Sequence, residues 1–583
     1  MEGQITAPCL TLSMDNIVFT RCTGTSFLGR CRGGTWLSTL IVMLFSAGSI
    51  RLDTGLQRPY RSPHREWERD VAKKTVVGKK RALKKASPQK KSTAAKAIKK
   101  AGPRKSAKVL LPKGPVWQWS AVETAAAIRS GATSSVEVIN VHIERMRAVN
   151  PKLNAVVVDL SEQAIKAAKA ADSARAKGKE LGPLHGVPIT IKENVDYDGR
   201  PNPNGVPAQM KIMAPSDAPV VRNLKKAGAV VIGLTNTPEF SFRGFTDNPL
   251  HGLTLNPWDP DITCGGSSGG AGAAVAAGIG TIAHGNDIGG SLRWPAHCNG
   301  VATIKPTQGR IPAYNESAAA ERPMLSHLMS AQGPLARSVA DVRLALDVMS
   351  QRDPRDPWWV PAPLVGPKPK GPIKVALAKL PEDMDVDPSV RAALRQAADH
   401  LERSGYRVSE VEVPDISGVW QNWCDIITNE VVVMQEAAML AVTSEDFHKA
   451  WNGMKAKANT LDLPGWMRAT AARNAHIRAW QLFFEDYPVV LAPTTVKPTP
   501  GPREDTISPE RVREIFWNDI RFISAINVLG LPGAVVPVAL HEGKPVGVQL
   551  IAGRYREDLA LDAASAIEKR AGMLVRQLWR QMS

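Results

Sequence analysis

The chain predicts an α/β fold, a sheet with helices on both of its faces. Two observations predict it. An alanine-rich helical segment over residues 161–176 leads into an apolar strand that ends at Lys192, and a helical segment over 218–227 leads into a second strand over 229–234. Helix and strand alternating in this way build parallel sheet with a helical layer on each side. Composition is that of a globular body, with 43% hydrophobic and 22% charged residues, and 583 residues suit either several domains or one large α/β unit.

Order is expected to begin near Val116. Over residues 120–146 the positions Val122, Ala126 and Ile128, then Val136, Val138, Ile139 and Ile143, have helical spacing, and Ser130-Gly131 breaks them into a pair of helices. Val187, Ile189 and Ile191 alternate along the strand before Lys192 and give it a buried end. Thr235-Asn236-Thr237-Pro238-Glu239-Phe240 reads as a loop, as does Asn256-Pro257-Trp258-Asp259-Pro260-Asp261 with its two prolines. Residues 272–280 read as a glycine-rich helix packed closely in a core, 338–350 as an amphipathic helix, and 373–380 as a buried strand. Residues 415–486 are rich in tryptophan (Trp420, Trp423, Trp451, Trp466, Trp480), which at helical spacing is mostly core. Pro532 and Gly533 turn the chain between sheet elements.

The most informative stretch holds two glycine-flanked serine sites, Gly265-Gly266-Ser267-Ser268-Gly269-Gly270 and Asp287-Ile288-Gly289-Gly290-Ser291. Glycine lets a ligand approach main-chain N–H groups closely, and serine beside such amides suits acyl transfer. Two familiar motifs fail here. A nucleophile elbow at Ser267 needs a strand directly before the serine, where this chain has a proline-rich loop. A phosphate cradle needs Gly-Lys-Ser/Thr after the glycines, and none follows.

These residues resemble the amidase signature hydrolases. The first serine site, the segment Gly285-Asn286-Asp287-Ile288-Gly289-Gly290-Ser291-Leu292-Arg293 and the closing Lys305-Pro306-Thr307-Gln308-Gly309-Arg310 follow that family's pattern. Leu184-His185-Gly186-Val187-Pro188-Ile189-Thr190-Ile191-Lys192-Glu193-Asn194 resembles its catalytic-lysine strand, and Ser267 follows Lys192 by 75 residues and Ser291 follows Ser267 by 24. The resemblance covers about residues 116–575 and implies a mixed central β-sheet between α-helical layers. Three positions depart from the pattern: Asn286 stands where threonine or serine is usual, and His297 and Asn299 interrupt a segment that is usually small and apolar.

The resemblance implies a Ser-Ser-Lys triad in which Ser291 attacks the amide carbonyl, Ser267 relays the proton across a cis Gly266–Ser267 peptide, and Lys192 is the base. A lysine titrates near ~10.4 when unperturbed, so this one must be buried to lose its charge at neutral pH. The same family places an oxyanion hole in the backbone amides of Ile288, Gly289, Gly290 and Ser291. Ser268, Asp287 and Arg293 are expected to brace the site, Arg293 by pairing with Asp287. No cofactor and no metal are expected, because the six cysteines form no C-x-x-C pair and no zinc-like spacing with histidine. The implied partner is a small amide; some tryptophans of 415–486 would line its acyl pocket, and a homodimer is left open.

The net charge of +19 belongs to one segment. Residues 71–110 carry 15 Lys or Arg and no Asp or Glu, residues 1–70 are net +2, and residues 111–583 are therefore net +2. The Lys/Ala-rich segment cannot bury enough apolar surface to offset its ordering entropy and reads as disordered, either as a solvated tail without a partner or as one that makes non-specific contacts to nucleic acid or anionic lipid. Residues 1–70 read as an irregular extension. Their apolar run over 36–47 is too short to span a bilayer and lies late for a secretory h-region, which leaves a signal, an anchor or an upstream start codon as readings.

Reduced thiols and a cytoplasmic enzyme are expected. The function expected is hydrolysis of a carboxylic amide to acid and ammonia through a serine acyl-enzyme. The rivals are the glutaminase subunit of a tRNA-dependent amidotransferase, an adaptor that uses the basic segment, and a degenerate pseudoenzyme. The complete Lys192, Ser267, Ser291 set argues against the last.

Overall fold

The computed structural model describes residues 9–13, 16–20 and 111–582. The apolar run 36–47 and the basic segment 71–110 lie outside the described residues. The chain divides into two compact units, residues 1–100 and 101–583. In the first, β1 (Cys9–Ser13) and β2 (Asn16–Thr20) form an antiparallel pair within the stretch expected to be irregular.

The second unit is built on one sheet of eleven strands: β3 (Val156–Asp159), β4 (Pro188–Lys192), β5 (Val230–Thr235), β6 (Ile282–Asp287), β7 (Ala302–Lys305), β8 (Ala331–Ala336), β9 (Lys374–Lys379), β10 (Arg407–Glu412), β11 (Val489–Pro493), β12 (Gly533–His541) and β13 (Lys544–Ala552). Their order is β10-β9-β11-β13-β12-β7-β8-β6-β4-β5-β3. The sheet is mixed. β4 runs parallel to β5 and β6, whereas β6/β8, β7/β8, β12/β7 and β12/β13 are antiparallel. The helix–strand alternation of residues 161–234 shows only the parallel part of it.

Side-chain alternation divides the core into layers. On β11, Val489 and Leu491 join one apolar cluster while Val490 and Ala492 join another, and on β13 Leu550 and Ile551 divide the same way. Ile189 and Ile191 of β4 belong to the first cluster. The second holds the tryptophan-rich segment, with Trp420, Trp423, Trp451 and Trp480 all buried.

Helices begin and end where capping chemistry dictates. Ser120 and Glu123 form a capping box for helix Ala121–Ser130, which Gly131 ends at φ 77°. Ser134 and Glu137 do the same for helix Ser135–Leu153. This helix runs past the expected end at 146 and carries Pro151 in its last turn, where a missing N–H forfeits one backbone bond, before Asn154 stops it at φ 53°. At the C-terminus helix Val575–Gln581 extends the ordered body beyond residue 575: Trp579 Nε1 donates to the Ala276 carbonyl at 2.8 Å and its ring meets Trp117 edge-on at 5.3 Å. Among the described residues no helix is long and apolar enough to cross a membrane.

Candidate active site

β4 delivers Lys192 to the site. Alternation turns its side chain away from Ile189 and Ile191, and it is fully buried. Lys192 Nζ donates to Ser267 Oγ at 2.7 Å and to Asn286 Oδ1 at 2.8 Å. Burial pushes the Lys192 ammonium well below its ordinary value, with Asp287 pulling weakly the other way. Burial lowers His284, on the same face of β6 as Asn286, to about 4.

Ser267 follows a cis peptide from Gly266 and is buried in a loop, with no strand directly before it. Ser268 caps the space between the two serine sites. Its N–H donates to the Ser291 carbonyl at 3.3 Å, and its Oγ donates to the Asn286 carbonyl and accepts from the Asn286 N–H, each at 3.3 Å. Helix Gly269–Ala276 then leads the chain back into the core.

The second serine site is a turn between β6 and helix Arg293–Asn299. Asp287 organises it. One carboxylate oxygen accepts from Gly290 N–H at 2.8 Å and the other from Leu292 N–H at 3.1 Å. Arg293 holds the same carboxylate with two bonds of 3.0 Å and reaches Asn527 at 2.6 Å and Gln549 at 2.7 Å. Burial alone would raise Asp287, but Arg293, then Lys305 and Asn527, hold it below the usual carboxylate range. Arg293 is fully buried and occupied by these partners.

Of the four amides expected to bind an oxyanion, that of Gly290 is already committed to Asp287. Those of Ile288, Gly289 and Ser291 donate to no group among the described residues. Neighbouring helices pin the turn through its carbonyls: Trp423 Nε1 from helix Ile416–Met434 donates to Ile288 O at 2.8 Å, and Ser524 Oγ from helix Arg521–Leu529 donates to Gly289 O at 2.9 Å. Glycine is required at both central positions. A Cβ on Gly289 would lie 2.7 Å from the Trp423 ring, and Gly290, at φ 116°, would place one 2.4 Å from Ile523.

The structure thus brings Lys192, Ser267, Ser268, Asp287, Arg293 and the 288–291 turn together. Sequence reasoning missed Asn286 as a partner of the lysine, although its departure from the family pattern was the available signal. Asn286 Nδ2 donates to Asn194 Oδ1 at 2.9 Å, and Asn194 Nδ2 donates to Ser241 Oγ at 2.9 Å, so the lysine contact is anchored in a polar chain. Cys264 and Cys298 flank the site but are buried, and burial raises both thiols, Cys264 to about 12. A 380 Å³ cavity bordered by His185, Tyr197 and Lys225 and a 240 Å³ cavity bordered by Arg310 and Trp359 contain none of these groups, so side-chain geometry rather than cavity size locates the site. Among the described residues no cluster of His, Cys, Asp or Glu is placed to hold a metal ion.

The amidase family profile matches residues 137–561. An indoleacetamide hydrolase of Bradyrhizobium diazoefficiens is 86% identical over 471 residues, 81% of this chain and 90% of that protein. An acylamidase of Rhodococcus erythropolis is 34% identical over 77% of this chain and 94% of its own length. Among solved structures, 6-aminohexanoate cyclic dimer hydrolase superposes with a TM-score of 0.68 at 29% identity over 79% of this chain and 99% of that one. A bacterial aryl acylamidase superposes with 0.69 at 26% over 80% and 99%. A profile match over residues 137–561 and relatives that align along most of both chains place the chain in the amidase signature family, as an amidohydrolase acting on amide C–N bonds.

Proposed function

We propose that the enzyme hydrolyses indoleacetamide, or an arylacetamide like it, to the carboxylic acid and ammonia through an acyl-enzyme on Ser291. The observation that carries the chemistry is the buried 2.7 Å contact between Ser267 and Lys192, whose ammonium form burial disfavours. A neutral Lys192 keeps two hydrogens; one stays on Asn286 Oδ1, which leaves the nitrogen lone pair to accept the Ser267 proton. Ser267 in turn takes the proton of Ser291 as the Ser291 oxygen bonds to the carbonyl carbon. The oxyanion is met by the uncommitted amides of Ile288, Gly289 and Ser291, each such donor lowering the barrier by about 2.7–4 kcal/mol. Collapse breaks the C–N bond, the proton returns through Ser267 to the leaving nitrogen, and ammonia departs. Water then attacks the ester by the same relay, which releases the acid and restores Ser291.

Two features support an aromatic acyl group. The 86% identity to an indoleacetamide hydrolase is one. The other is that half-buried Ile288, Phe240 and Phe242 pack on the tryptophan-rich cluster beside the turn, with Phe242 edge-on to Trp451 at 5.7 Å. The test combines ammonia release from indoleacetamide, acetamide and glutamine with intact-mass analysis after a fluorophosphonate probe, on wild type and on Ser291→Ala, Ser267→Ala and Lys192→Ala. Preferred turnover of indoleacetamide is expected, with labelling at Ser291 lost in the first variant and greatly slowed in the others. Preferred turnover of glutamine would favour the glutaminase role, and labelling at Ser267 that survives Ser291→Ala would overturn the assignment of the nucleophile.

A further inference from the structure

Helix Leu463–Asp486 is solvent-facing along most of its length and buries only Gly465, Arg473, Trp480 and Phe484. An arginine at an inward position normally meets a carboxylate or several carbonyls, because a buried charge is costly unless it is paired. Arg473 is 8% exposed and its side chain makes no hydrogen bond and no ion pair among the described residues. Its Nε is sealed from solvent and unpartnered. The charge acting on it is that of Arg554, which has the same sign, and the two effects of burial and Arg554 lower it to about 10.

The surroundings are those of a receptor for negative charge. Arg554 is half-buried, has no carboxylate partner among the described residues, and donates to Gln308 Oε1 at 3.3 Å. Gln308 N–H donates to the Gly530 carbonyl at 3.3 Å, and a Cβ on Gly530 would lie 3.4 Å from Gln308 Cβ and 3.8 Å from Arg473 Nη2. Both guanidinium groups therefore converge on the Gln308–Gly530 contact. The nearby acid, Glu557, is taken up by Arg310 and by the Thr307 N–H, each at 2.8 Å.

We propose that Arg473, Arg554 and Gln308 form a binding site for a small oxyanion, a carboxylate or a phosphate, that is separate from the acyl-transfer serines. A planar guanidinium fork pairs with two oxygens of such a group at once, and a second arginine supplies the remaining charge. The Gln308 amide selects against a cation by donating from its nitrogen once Arg554 holds its oxygen. The occupant would tie the tryptophan-bearing helix to the loop 306–310 after β7 and to the end of helix Arg521–Leu529, the same helix that pins the oxyanion turn.

The test is calorimetric titration of the full chain with inorganic phosphate and, separately, with acetate, at ionic strength held constant with chloride. Saturable binding of phosphate, acetate or both to wild type is expected, and which of them binds identifies the source of the oxyanion. Arg473→Gln and Arg554→Gln should each weaken it about tenfold or more, the loss of one charge-assisted contact. Arg554 is half-buried and its variant folds even if Arg473→Gln does not, so the result stands on it alone. Absence of saturable binding in wild type, or equal affinity in wild type and Arg554→Gln, would overturn the proposal.

Discussion

Asn286 governs how the proposed base works. Its Oδ1 lies 2.8 Å from Lys192 Nζ and is neutral, so it fixes the amine without adding charge. Activity that depends on neutral Lys192 is absent at low pH and rises with pH through the lysine's value in the folded enzyme. That value is lowered by burial, so the rise is expected to finish well below the ordinary lysine range. Asn286→Asp would place a carboxylate at the same distance and favour the ammonium, shifting the rise to higher pH by about a unit or more, with about tenfold less activity per unit at neutral pH. Recovery of kcat/KM at alkaline pH would identify this cause, whereas a uniform loss at every pH would point to damaged packing and refute it. Sequence shows why this residue is legible only in part. The pattern marks position 286 as unusual, but nothing local to it reveals a lysine 94 positions away in the chain. Lys192 and the two serines are legible because each sits in its own dense motif.

At the scale of elements, the turn between β6 and helix Arg293–Asn299 is held by parts of the chain that its own sequence does not mention. Helix Ser161–Ala176 has the bounds its alanine-rich pattern predicts, and β5, β9 and the helix Val339–Met349 fall within a residue of theirs, because periodicity and punctuation are local signals. Which helix lies against the glycine turn is not local. Trp423 read as core, and it is core, yet its indole N–H also fixes Ile288 and its ring closes the space over Gly289. Gly289→Ala is expected to cost about 1–3 kcal/mol of stability through overpacking against that ring. It should also cut kcat far more than KM, because the amides it displaces are engaged only when the oxyanion forms. Steady-state kinetics and a denaturant titration of the same variant check both halves. Trp423→Phe makes the complementary case, keeping an aromatic ring beside Gly289 and removing the bond to Ile288 O, so a fall in kcat without loss of stability is the expected signature.

For the whole molecule, the mixed topology was the part least accessible to local pattern, since the antiparallel pairs β6/β8, β7/β8 and β12/β13 join segments whose strands look alike in either direction. Charge is the opposite case, fully legible and unevenly placed. The body from 111 onwards is net +2, while residues 71–110 hold 15 cations and no acid. The proposed chemistry sits on residues of the unit 101–583. A chain that starts at residue 111 is therefore expected to release ammonia from indoleacetamide with unchanged kcat/KM. Retention of the full chain on immobilised DNA or anionic vesicles should fall steeply with salt, as phosphate contacts do when counterions are released, and should vanish in the shortened chain. Equal retention of both chains would place the anion contacts on the folded body, and a loss of kcat/KM on shortening would show that the basic segment reaches the site. The two measurements together separate a catalytic body with an independent basic extension from an enzyme whose extension takes part in turnover.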